Sequence, residues 1–175
     1  PVKIELIDAG TKELVEVLEV DAVLVATGRV PTSADLNLAA VGVESERGFI
    51  PVDDGLRVLA GGNPVPHLWA VGDVTGKLML AHTAAAQGVV AVENICGGNR
   101  TVDYRSIPAA TFTHPEISSV GLSEADAKAL AAEQGFELGS VRSYFKANSK
   151  ALAELESDGL MKLLFRKDTG EVLGA

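Results

Sequence analysis

Three short segments of the chain carry more design than a packed core requires. The first is Ala26-Thr27-Gly28-Arg29-Val30-Pro31. An apolar run leads into it; glycine permits a close turn and proline forbids continuation of a strand. At the carboxyl end of a strand, such a turn lets backbone approach a ligand. It equally makes an ordinary turn between strands. The second segment is Trp69-Ala70-Val71-Gly72-Asp73. An Asp after Gly at a strand end can accept a hydrogen bond from a sugar-type hydroxyl, and it can also serve as a turn former or helix cap. The third is Lys77-Leu78-Met79-Leu80-Ala81-His82, which opens an Ala-rich helical run. A helix start offers unpaired N–H groups and about half a positive charge, a suitable partner for an electron-rich heterocycle developing negative charge. The plain alternative is an ordinary amphipathic helix start, with His82 a packing or surface residue.

The elements that position these segments follow from periodicity. Val2, Ile4 and Leu6 alternate with Lys3 and Glu5, and Leu14 to Val20 alternates again after the turn Asp8-Ala9-Gly10-Thr11, which predicts a hairpin. Val20 to Ala26, apolar except for Asp21, reads as a strand covered on both faces. Residues 31–66 hold four of the seven prolines and read as loop-rich, interrupted by short apolar pieces at Leu36–Val41 and Phe49–Val52. His67 to Val71 reads as a short buried strand, and Leu80 to Ile95 as a helix stopped by Gly97-Gly98. The character changes near residues 98–106, where a domain boundary is expected. Beyond it, Ala109–Thr113, Ser118–Leu122, Leu138–Phe145 and Leu160–Arg166 read as strands, the last turning at Asp168-Thr169-Gly170 toward Val172. A helix is predicted from Ser123, a capping residue followed by Glu124 and Asp126, to about Gln134, stopped by Gly135.

Composition narrows the function. The 175 residues include 15 basic and 24 acidic side chains, a net charge of −9, which disfavours a nucleic-acid binder that must neutralise phosphates. An apolar content of 47% excludes an intrinsically disordered chain. The single cysteine, Cys96, excludes an internal disulfide framework, a Cys-pair zinc site and a dithiol pair within this chain. Near the end of an apolar helix it reads as a buried, inert thiol. His67 and His114 sit beside prolines and lack metal-ligand spacing, so no metal is expected. Lys146 and Lys150 read as a solvated face. No run approaches the ~18 apolar residues of a membrane span. Both ends read as interruptions of structure.

The order of the motifs says more than any one of them. ATGRVP at 26–31, LWAVGD at 68–73, LMLAH at 78–82, FTHPE at 112–116 and VGLSEADA at 120–127 resemble the pyridine nucleotide-disulfide oxidoreductases, from about Val20 to Ala175. Within that family the pattern is most similar to the dihydrolipoamide dehydrogenases. Ala60-Gly61-Gly62-Asn63 and GKLMLAHTAAAQG at 76–88 resemble their cyanobacterial and plastid branch.

The resemblance implies an α/β fold, the end of an NAD domain and the second half of an FAD domain, Rossmann-like. An α+β dimerisation domain with an antiparallel sheet would follow, the whole truncated at both ends. The implied domains are 1–28 for the end of the NAD-binding part, 29–100 for the second FAD-binding part, and 101–175 for the start of the dimerisation domain. It implies FAD and NAD as cofactors: Gly28 toward the dinucleotide, Asp73 toward the ribityl chain of FAD, and Met79, Leu80, Ala81 and His82 toward the isoalloxazine. FTHPE receives no site residue. The family's redox Cys pair, Gly-rich turns and His-Pro carboxyl-terminal segment have no match here, so no catalytic residue is assigned. The chain alone is expected to hold FAD weakly and to be inactive. The intact protein would be a homodimer that reoxidises dihydrolipoyl groups on an E2 or H-protein of a 2-oxo acid dehydrogenase or glycine cleavage complex, in the cytoplasm or a plastid stroma. The alternatives are a related flavin disulfide reductase (glutathione or mercuric reductase, or a transhydrogenase) and a non-catalytic dimerisation module.

Overall fold

A computed structural model describes residues 1–175, which divide into two compact units, Pro1–Val30 and Pro31–Ala175. The first unit is an antiparallel hairpin of β1 (Val2–Ile7) and β2 (Leu14–Val20), with Val2 opposite Val20 and Ile4 opposite Leu18. Its turn is held by the Asp8 carboxylate, which accepts from the Gly10 and Thr11 amides at 2.8 and 2.7 Å. The predicted strand from Val20 to Ala26 does not form beyond Val20. Residues 21–30 carry no ladder, and Leu24 is 89% exposed. The reason is pairing: a strand exists through its neighbours' hydrogen bonds, and no other strand of the unit lies beside this run.

In the second unit, two 3₁₀ turns (Ala34–Leu36 and Leu38–Val41) lead to an antiparallel pair, β3 (Arg57–Ala60) and β4 (Asn63–Trp69). The expected loop region therefore contains a strand. Gly61 and Gly62 both adopt positive φ (54° and 82°) and reverse the chain in two residues, a geometry that favours Gly-Gly. Helix α1 (Ala81–Ile95) packs one face inward through Thr83, Gln87, Val90 and Ala91. The apolar part of that face joins Val43, Ile50, Val52, Leu56, Val58 and Ala70 in one core. Cys96, at the helix end, is exposed, contrary to the buried thiol expected. It falls off the 83–87–90–91 stripe, and helical rotation, not overall hydrophobicity, decides which residues face inward.

Beyond α1 come a short hairpin, β5 (Ala109–Thr111) with β6 (Ile117–Ser119), and helix α2 (Glu124–Gln134). Ser123 caps α2 by accepting from the Asp126 amide, and Gly135 ends it at φ 73°. Then follow β7 (Leu138–Tyr144), a five-residue helix α3 (Ser149–Ala153), β8 (Leu160–Arg166) and β9 (Val172–Gly174). The sheet order is β7-β8-β9, all antiparallel. On its free side β9 pairs with residues 120–122: Leu122 donates to Leu173 at 2.8 Å, and Val120 and Ala175 exchange bonds at 3.0 and 2.8 Å. Ala127 and Ala131 bury the inner face of α2. No helix is long and apolar enough to cross a membrane.

Candidate cofactor site at the start of α1

The site is built from the turn after β4 and the head of α1. Gly72 sits at φ 83°, ψ −162°, a region open essentially to glycine. Its carbonyl accepts from the Thr75 amide at 3.0 Å and the Thr75 hydroxyl at 2.9 Å, closing a single 3₁₀ turn, Asp73–Thr75. Asp73 is exposed at the tip of that turn, and no hydrogen bond or ion pair engages its carboxylate. Gly76 turns the chain again at φ 69°, where a Cβ would press on the Phe49 ring at 3.0 Å.

The approach to the helix is strained. Leu78 has φ 47°, uncommon for a side chain of its size, and the Leu80 amide donates to the Leu78 carbonyl at 2.7 Å in a three-residue turn around Met79. Leu80 is the N-cap, extended, with no side-chain cap. The first-turn amides, those of Ala81, His82 and Thr83, therefore keep their donor capacity and the positive end of the helix dipole. Ala81 and His82 are exposed, Met79 is 43% exposed and Leu80 is half-buried. An electron-rich ring laid against this corner would meet N–H donors and an apolar Met-Leu edge, and the preceding 3₁₀ turn carries a carboxylate free to accept from hydroxyls.

The ring of His82 does not face that corner. Its Nε2 donates to the Pro108 carbonyl at 2.7 Å, so only its backbone remains at the helix start. Of the expected site residues, Asp73, Met79, Leu80, Ala81 and His82 fall within this one stretch. Gly28 belongs to the first unit; it is exposed, has φ 107°, and a Cβ there would meet nothing within 4 Å. Glycine there answers a conformational demand and not a crowded one.

Sequence reasoning missed three participants. Gln87 is fully buried: its Oε1 accepts from the Gly72 amide at 2.6 Å, and its Nε2 donates to the Tyr104 hydroxyl at 3.0 Å, with the Lys77 carbonyl at 3.5 Å. Thr83 is buried with its hydroxyl unpartnered. Tyr104 belongs to the segment between the two halves of the unit. The available signal was a polar residue on the inward stripe of α1, since 83, 87, 90 and 91 share one face.

The site and fold define a class, and the comparisons name it. Two models of the pyridine nucleotide-disulphide oxidoreductase family match the chain: the oxidoreductase model over residues 3–88 and its dimerisation domain over 107–175. The chain belongs to this family. Its relatives include a dihydrolipoyl dehydrogenase of Synechocystis sp., 64% identical over the whole of this chain and 37% of that protein. They also include the chloroplastic dihydrolipoyl dehydrogenase 2 of Arabidopsis thaliana, 54% identical over 99% and 31% respectively. The chain thus spans about a third of the length of these relatives. Among solved structures, the HOCl-induced flavoprotein disulfide reductase RclA from Escherichia coli superposes with a TM-score of 0.74 at 30% identity, over 91% of this chain and 35% of that one.

Proposed function

We propose that this chain is a segment of an FAD-dependent dihydrolipoyl dehydrogenase. The complete protein would oxidise a protein-bound dihydrolipoyl dithiol and pass a hydride to NAD. The observation that carries this reading is the 64% identity to the Synechocystis dihydrolipoyl dehydrogenase along the entire chain. The uncapped start of α1 and the unengaged Asp73 carboxylate support it, because they fit the flavin end of such a cofactor.

In this reading residues 1–28 close the NAD-binding domain, 29–100 complete the FAD-binding domain, and 101–175 begin the dimerisation domain of a homodimer. Bound FAD supplies the two-electron chemistry between dithiol and nicotinamide. This chain's residues bind and orient. Asp73 would accept from the ribityl hydroxyls, Met79 and Leu80 would offer the isoalloxazine an apolar edge, and the amides of Ala81 and His82 would favour negative charge on it. Gly28 lets backbone come close to the dinucleotide. The dithiol and the acid-base histidine are supplied from outside these 175 residues. Partners are lipoyl-bearing E2 or H-proteins, in a bacterial cytoplasm or, as the chloroplastic relative suggests, a plastid stroma.

The test uses the complete gene product. It should purify yellow with near-stoichiometric FAD and reduce NAD with dihydrolipoamide, and Asp73→Ala should lower flavin occupancy. A complete protein without flavin, or one inactive with dihydrolipoamide, would overturn the assignment. Unchanged occupancy in the variant would remove Asp73 from the site.

A further inference from the structure

Gln87 is buried more deeply than its polarity favours, and its bonds explain why. A buried amide with unmet bonds is costly, so such a side chain persists where its partners are fixed. The acceptor end holds the Gly72 amide, the residue before Asp73. The donor end holds the Tyr104 hydroxyl, over whose ring the Lys77 ammonium lies at 5.9 Å.

Tyr104 lies in a row of polar ties between α1 and the segment that follows it, which begins where Glu93 pairs with the Arg100 guanidinium at 2.8 Å. Asn94 brackets Arg100, donating to its carbonyl at 2.8 Å and accepting from its amide at 2.7 Å. Gln87 meets Tyr104 at 3.0 Å, and His82 meets the Pro108 carbonyl at 2.7 Å. As the helix is followed backward from 94 to 82, the segment is followed forward from 100 to 108. Residues 100–108 are therefore laid antiparallel along α1 and delivered to β5, where the family's dimerisation domain begins. Of these ties, only Gln87 also grips the turn that carries Asp73.

We propose that Gln87 is a positioning residue that couples the Gly72–Asp73 turn to the seating of residues 100–108. Flavin binding and dimer assembly would then strengthen each other through one side chain. The inference rests on the flavin reading of the site. An order imposed on the turn by the ribityl chain fixes Oε1, hence the amide plane, hence the Nε2 bond to Tyr104. Linkage makes the effect reciprocal: the factor by which FAD tightens the dimer is the factor by which dimerisation tightens FAD.

The experiment compares the complete gene product with Gln87→Leu, Gln87→Glu and Tyr104→Phe. FAD dissociation is followed by flavin fluorescence, and the dimer dissociation constant by sedimentation with and without FAD. Gln87→Leu should weaken FAD at least tenfold. Gln87→Glu keeps an acceptor for the Gly72 amide and for the Tyr104 O–H, and should return FAD affinity to within threefold of wild type. Tyr104→Phe should leave the hold on Gly72 in place but shrink the effect of FAD on the dimer at least fivefold. FAD affinity within threefold of wild type in Gln87→Leu, no rescue by Glu, or undiminished coupling in Tyr104→Phe would each overturn the proposal. Should Gln87→Leu fail to fold, the Glu and Phe variants decide. A wild-type protein that binds no FAD would defeat the functional reading and this inference with it, whereas wild-type binding with unaltered variants defeats the inference alone.

Discussion

Replacing Gly174 with alanine adds one methyl group where β9 lies against residues 120–122. The new Cβ would fall inside contact distance of the Leu122 carbonyl oxygen, 2.8 Å from the Leu122 nitrogen and 3.1 Å from its carbonyl carbon. All three are backbone atoms, so no rotamer change relieves the clash. Gly174 does not have a positive φ, so alanine has no conformational penalty there and the effect is steric. The strand pair must open, releasing the Leu122–Leu173 bond and the two Val120–Ala175 bonds. At about 1 kcal/mol net for each bond, the local cost is about 3 kcal/mol, roughly a hundredfold in opening equilibrium. Gly170→Ala is the control: its φ is 76°, but a Cβ there meets nothing within 4 Å. That variant carries only the left-handed strain of about 1–2 kcal/mol. The assay is native-state amide exchange at Val120 and Leu122, which reports local opening and does not require two-state unfolding of a multidomain protein. Protection should fall roughly a hundredfold in Gly174→Ala. Exchange within threefold of wild type, or no greater than in Gly170→Ala, would refute the reasoning.

Leu56→Ala should destabilise the second unit by about 2–5 kcal/mol, since the side chain is fully buried at the centre of the core; a denaturant midpoint shifted by less than 1 kcal/mol equivalent would contradict that packing. Glu124 is held down to about 2 from 4.5, first by its hydrogen bond to Lys128, then by that to Lys162. A depressed folded-state value means its stabilisation is complete above 4.5 and is lost as pH falls toward 2. Glu124→Gln should flatten that part of the acid unfolding curve, read by circular dichroism, and leave the curve above pH 5 unchanged in shape.

Much of the fold was legible because local chemistry and global packing agree there. The span of β8 coincides with the periodic run Leu160–Arg166. The α2 boundaries follow Ser123 and Gly135, whose cap geometry is a property of single residues. Helix α3 escaped notice because five residues carry too little periodicity, and Asn148, which caps it through the Lys150 and Ala151 amides, resembles any turn asparagine. The run Val20–Ala26 misled for the opposite reason: its composition is that of a buried strand, but strandness depends on a neighbour.

The sequence by itself determined the family and the order of the motifs, because these are linear patterns of residue type. Tertiary structure alone decided which side chains act together. It turned the ring of His82 to Pro108, leaving its amide for the site, and exposed Cys96 by helical rotation. It also joined Gly72, Gln87 and Tyr104, fifteen and seventeen residues apart in sequence, into one set of hydrogen bonds around a buried amide. Hydrogen bonds between residues so distant in sequence depend on how elements pack in space, and no local spacing encodes that.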